Sequence, residues 1–148
     1  LRSGLSAAIF RPPGQVAEEL DALKVAEERL RQVGLWEARG ELARNIPYGR
    51  QRMLEIARAL ATDPRLLVLD EPSSGLNPIE TEELMRFIRG IIAAERLTVL
   101  LIEHDMNVVM GISDWVTVMD GGRKIAEGTP QRIYHDPRVV EAYLGGGA

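Results

Sequence analysis

Leu66-Leu67-Val68-Leu69-Asp70-Glu71-Pro72 sets an aliphatic run against two acids and a proline. A short continuous apolar run of this kind predicts a parallel strand buried on both faces. Acids at the C-terminal end of such a strand stand where open α/β sheets place their sites. Asp70 is a candidate Mg²⁺ ligand acting through water, because a hard cation takes oxygen donors. Glu71 is a candidate to orient or deprotonate an attacking water. Taken alone, the pair reads equally well as a strand followed by a solvated acidic turn.

Downstream, Ser73-Ser74-Gly75-Leu76-Asn77-Pro78 is a small-residue loop before a helix. Asn77-Pro78-Ile79-Glu80 reads as an N-cap, a proline at the first helical position and an acidic third position. Leu84, Phe87, Ile88, Ile91 and Ile92 supply that helix with an apolar stripe. Thr98–Ile102 is a second buried-strand candidate, so strand, helix and strand form a right-handed parallel crossover. Just past it, in Ile102-Glu103-His104-Asp105, His104 falls on the same sheet edge as Asp70 and Glu71. An imidazole there can hydrogen-bond a phosphate or position a water, although a lone histidine at a strand end is more often structural. Trp115–Met119 and Arg123–Ala126, joined through Asp120-Gly121-Gly122, predict a hairpin. Thr129-Pro130 and Asp136-Pro137 each open a short helix, the last closing at Gly145.

Upstream, the period is helical throughout. From Gln15 to Val33, apolar Val16, Leu20, Leu23, Leu30 and Val33 recur on one face, and Gly34 suits the end. Asn45-Ile46-Pro47-Tyr48-Gly49-Arg50-Gln51-Arg52 leads into a second helix that Pro64 ends. A glycine turn at a helix N-terminus presents N–H groups and a positive dipole end to phosphate oxygens. The expected organisation is a helical subdomain over residues 1–62 and an α/β core over 63–148.

Composition narrows the class. The 148 residues are 45% hydrophobic and 27% charged, with net charge −4, which suits an ordinary folded domain and argues against nucleic acid as partner. The absence of cysteine excludes disulfides and thiolate metal sites. The longest strongly apolar stretch, 97–102, is interrupted by Thr98 and is too short to cross a bilayer. No secretory or transit pattern is legible from Leu1 onward.

Taken together, and in this order, the segments resemble the second half of an ABC ATPase domain. Asn45–Gln51 resembles the family signature, Leu66–Pro72 the Walker B strand, Ser73–Asn77 the D-loop, and His104 the switch histidine. The resemblance implies an incomplete P-loop NTPase fold, with a helical subdomain and the second half of a RecA-like parallel core. It further implies ATP and Mg²⁺ as cofactors and a second ATPase subunit, identical or not, as partner. Transmembrane permease subunits and a site on the cytoplasmic face of the cell membrane follow from the same resemblance. On it, Asp70 helps hold Mg²⁺, Glu71 polarises the water and His104 senses the γ-phosphate. Tyr48, Gly49, Arg50 and Gln51 cap the partner's nucleotide, and Ser74, Gly75 and Asn77 serve the D-loop.

The sequence departs from the usual Leu-Ser-Gly-Gly-Gln signature with Ile46-Pro47-Tyr48-Gly49-Arg50. Pro47 has neither the serine hydroxyl nor an N–H. The Pro-Tyr-Gly form is similar to one ATPase subunit of branched-chain amino-acid importers, as are Glu55–Leu60 and Glu103–Val109. Asn77 stands where the D-loop often has aspartate. No Gly-x-x-x-x-Gly-Lys-Ser/Thr string occurs anywhere in the chain. The family places that phosphate loop, and a glutamine-bearing loop, upstream of the helical segment, so the expectation is a C-terminal fragment that is inactive alone. Two other readings stay open: a non-catalytic docking or dimerisation module, and an ABC ATPase outside transport.

Overall fold

The computed structural model describes residues 13–145, which fall into two compact units. One holds the described residues up to Leu67 together with Arg96–Thr98; the other holds Val68–Glu95 and the described residues from Val99 onward.

The first unit is helical. Helix α1 (Pro13–Gln32) ends where Gly34 takes φ 68°. There Leu35 N–H donates to Leu30 O at 2.8 Å and Gly34 N–H to Arg31 O at 3.0 Å. This double closure is the Schellman pattern, and it needs glycine because a Cβ disfavours positive φ. Two single 3₁₀ turns, Trp36–Ala38 and Ala43–Asn45, lead to α2 (Tyr48–Leu60). Leu35, Ile46, Ile56, Ala57 and Leu60 are buried, and each fully buried aliphatic side chain contributes about 1.5–3 kcal/mol. The apolar stripe expected along α1 is covered only near its C-terminal end: Val33 is buried, whereas Val16, Leu20 and Leu23 are exposed. The 3.6-residue period set the helix correctly but does not supply the surface that covers it.

The second unit carries most of the sheet, Leu66, Leu67 and Thr98 being counted with the first. Strands β1 (Leu66–Asp70) and β2 (Thr98–Ile102) are hydrogen-bonded neighbours, with α3 (Pro78–Glu95) between them in sequence. Thr98 N–H bonds Arg65 O at 3.2 Å and Glu71 N–H bonds Ile102 O at 2.9 Å, so the strands run parallel. That ladder sets Val68 beside Leu100 and Asp70 beside Ile102. Helix α3 starts with the reciprocal box expected of Asn77 and Glu80. Asn77 Oδ1 accepts from Ile79 and Glu80 N–H, each at 3.0 Å, and Glu80 Oε2 accepts from Asn77 N–H at 3.0 Å. Its inward face is Leu84, Met85, Ile88 and Ile91, all buried.

Here the structure corrects one expectation. β1 and β2 are not buried on both faces: Leu67 and Leu69 are covered, while Leu66, Val68 and Leu100 are 54%, 52% and 53% exposed. An unbroken apolar run states that both faces avoid water without stating what covers them. Among the described residues nothing covers the second face.

After β2, α4 (Met106–Ile112) is capped by Asp105, whose Oδ1 accepts from Asn107 N–H at 2.8 Å. Strands β3 (Val116–Asp120) and β4 (Arg123–Gly128) form the predicted antiparallel hairpin, with a bulge after Val118. Gly121 and Gly122 both have positive φ, the requirement of a two-residue type I′ turn. Helices α5 (Pro130–Tyr134) and α6 (Pro137–Gly145) follow at the two expected prolines. Val116, Ala126, Ile133 and Val139 form a buried cluster under this end, with Met106, Val109, Met110 and Val118 packed against it.

Candidate active site

Glu71 leaves β1 in the left-handed region, at φ 43°. A non-glycine residue there costs about 1–3 kcal/mol and persists only where its surroundings hold it. Here Ile102 O accepts from Glu71 N–H, and Glu71 O accepts from Ser74 N–H at 3.1 Å. The kink turns the Glu71 carboxylate towards the end of β2. Its Oε1 lies 3.3 Å from His104 Nδ1, with both side chains largely open to solvent. Glu71 and His104 therefore meet at the sheet edge expected of both from the sequence.

Asp70, the last residue of β1, is exposed and makes no hydrogen bond or ion pair among the described residues. Its oxygens are available to a hard cation. No group of three or more acidic, histidine or cysteine side chains with metal-binding geometry occurs among the described residues.

The turn after Glu71 is fastened by a residue given no role in the sequence reading. Glu103 Oε1 accepts from Ser73 N–H at 3.0 Å and from Ser73 Oγ–H at 2.6 Å. Its Oε2 accepts from His104 N–H at 3.3 Å. Leu76 N–H then closes on Ser73 O at 3.1 Å. Ser74 and Gly75 lie on the outer, exposed part of this turn, and Asn77 is also exposed, its side-chain oxygen engaged in the α3 cap. The signal for Glu103 was its place beside His104, but sequence alone does not pair it with a serine thirty residues away.

The signature-like residues lie in the first unit, at the start of α2. No side chain caps this helix, since Pro47 at the cap position has no donor or acceptor there. The N–H groups of Tyr48, Gly49 and Arg50 thus begin the helix without side-chain acceptors, the arrangement that suits an anion. The long side chains are otherwise occupied. Arg50 donates to Gly34 O at 2.9 Å, tying α2 to the end of α1, and Gln51 Nε2 donates to Ile46 O at 2.9 Å. Arg52 donates to Tyr48 Oη at 2.8 Å and to Glu55 Oε2 at 2.9 Å, with its guanidinium 5.2 Å from the Tyr48 ring centre. The bond to Glu55 holds the Arg52 guanidinium above its ordinary pKa. Arg52 fixes the tyrosine, a role missed in sequence although the i, i+4 spacing from Tyr48 carries it.

Two family models match the sequence: that of the ABC transporter over residues 7–74, and that of the branched-chain amino acid ATP-binding cassette transporter over 123–148. The chain belongs to the ABC transporter family and has an α/β fold. Within that family it is 44% identical over 145 residues to the high-affinity branched-chain amino acid transport ATP-binding protein BraF of Pseudomonas aeruginosa. It is 45% identical over 145 residues to the corresponding protein LivG of Escherichia coli. Each alignment takes in 98% of this chain and 57% of the relative, so the chain spans little more than half the length of these proteins. Among solved structures it is similar to MJ1267, an ATP-binding cassette of an ABC transporter, in its ADP conformation. The TM-score is 0.78 and the identity 31%, over 84% of this chain and 50% of that one.

Proposed function

We propose that this chain is the Walker B, D-loop, switch and signature part of an ATP-hydrolysing subunit that energises import of branched-chain amino acids. The observation that supports it most is the approach of Glu71 Oε1 to His104 Nδ1, at 3.3 Å, beside the unengaged Asp70. Glu71 orients the attacking water and takes its proton on a carboxylate oxygen. His104 steadies that carboxylate and faces the terminal phosphate. Asp70 would hold Mg²⁺, whose positive charge would offset that of the phosphates.

The free N–H groups of Tyr48 and Gly49 cap the nucleotide held by a second ATPase subunit, with Arg50 and Gln51 bracing that helix start. Ser74, Gly75 and Asn77 serve as its D-loop. The residues 1–62 form the helical subdomain and 63–148 the core half in this scheme. No described helix is long and apolar enough to cross a membrane. In this reading the subunit works on the cytoplasmic face, docked on separate permease subunits. The branched-chain ligand class rests on the similarity to branched-chain amino acid transport proteins and on the family model over 123–148.

The test is reconstitution of a subunit completed upstream with a phosphate loop, together with its permease and binding protein. ATP-dependent uptake of leucine, isoleucine or valine is the expected result; ATP turnover with none of the three transported would overturn the ligand class.

A further inference from the structure

We infer that Glu103 is a positioning residue of the hydrolytic site, bracing the turn after Glu71 to the turn that carries His104; this rests on the proposed roles of those two residues. One carboxylate serves both turns. Oε1 receives two bonds from Ser73, and Oε2 receives the His104 N–H. The Ser73 hydroxyl bond, at 2.6 Å, has the length of a charge-assisted O–H···O⁻ contact, roughly twice as strong as a neutral one.

The brace has work to do because Glu71 is held at φ 43°. The ladder bond to Ile102 O fixes its N–H, and its carbonyl accepts from Ser74 N–H, closing a 71–74 turn that contains Ser73. Without Glu103, Ser73 N–H loses its acceptor and the turn is free to relax. Glu71 then returns towards ordinary backbone angles, and its carboxylate swings away from His104. Glu103 itself is half-buried behind Ser73. Its removal is therefore expected to slow the chemical step rather than weaken nucleotide binding.

The experiment uses a subunit completed with a phosphate loop, measuring ATP turnover per nucleotide-loaded subunit. Glu103→Ala is expected to lower kcat roughly tenfold to a hundredfold, the scale of a misplaced reacting group, with the KM for ATP unchanged. Glu103→Gln keeps one oxygen for Ser73 but sets an amide N–H against His104 N–H, so its kcat falls less. Ser73→Ala lowers kcat less again, and adding it to Glu103→Ala costs nothing further, because both delete one contact. In the 148-residue chain, Glu103→Ala is expected to speed amide exchange at Ser73 and His104.

Glu71→Gln in the same subunit separates the two levels of the argument. If it turns over at the parent rate, the catalytic reading falls. If it stalls while Glu103→Ala retains parent kcat, or if the Ser73 and Glu103 effects add, the brace is wrong. Should Glu103→Ala fail to accumulate as folded protein, Ser73→Ala decides, and a kcat equal to the parent's overturns the proposal.

Discussion

Asp70 and Glu71 are adjacent in sequence but have unlike surroundings, and the difference predicts unlike variants. Glu71 is twisted out of the strand against His104. Replacement by glutamine keeps shape and hydrogen bonding while losing the base. Glu71→Gln in a completed subunit is expected to bind ATP as the parent does and to stall hydrolysis. Asp70→Asn is expected instead to raise the Mg²⁺ concentration needed for half-maximal turnover, and an unchanged Mg²⁺ titration would count against that role.

A third acid has a pH signature. Asp136 is lowered from the ordinary 3.8 to about 2, chiefly by the side-chain bond from Arg138 and then by the Arg138 N–H. A depressed carboxyl stabilises the fold above its ordinary pKa, and the contribution is lost as pH falls through about 2. Carboxyl NMR is expected to place the Asp136 midpoint near 2 in the parent, and nearer the ordinary value in Arg138→Ala. Equal midpoints would remove Arg138 as the cause.

At the scale of elements, the starts of helices carry the most local chemistry. The Asn77–Glu80 box holds the first turn of α3, and Asn77→Ala is expected to cost about 1 kcal/mol in urea unfolding. A loss indistinguishable from zero would mean that Pro78 and packing fix this start without the cap. Such features were legible in the sequence because they are local: Asn77-Pro78, Gly34, Gly121-Gly122 and Thr129-Pro130 each act within a few residues. The parallel pairing of β1 with β2 was legible too, since an intervening α3 requires a crossover. The burial of strand faces was not. Leu66, Val68 and Leu100 read as core, yet hydrophobicity records only a preference and not the partner that satisfies it. At the candidate site, Glu71 and His104 were legible through their strand-end positions. Glu103 and Arg52 were not, because their roles reside in long-range or side-chain contacts.

At the scale of the molecule, Val68, Leu100 and Ile102 leave one apolar sheet face open, and β1 and β2 each have one strand edge unpaired among the described residues. Open edges and apolar faces promote pairing with another chain. The 148-residue chain is therefore expected to self-associate in sedimentation, and Val68→Lys with Leu100→Lys to shift it towards monomer. A parent chain that stays monomeric at high concentration, with strongly protected amides throughout β2 and β3, would show that these surfaces are closed. Phosphate release with Mg²⁺ and ATP decides whether this chain is one part of an ABC ATPase site that needs a phosphate loop supplied by another segment. None is expected from the chain alone, and roughly one turnover per second or faster once a phosphate-loop segment is joined upstream and two such subunits pair. Comparable turnover by the chain alone, or none after completion, would contradict it.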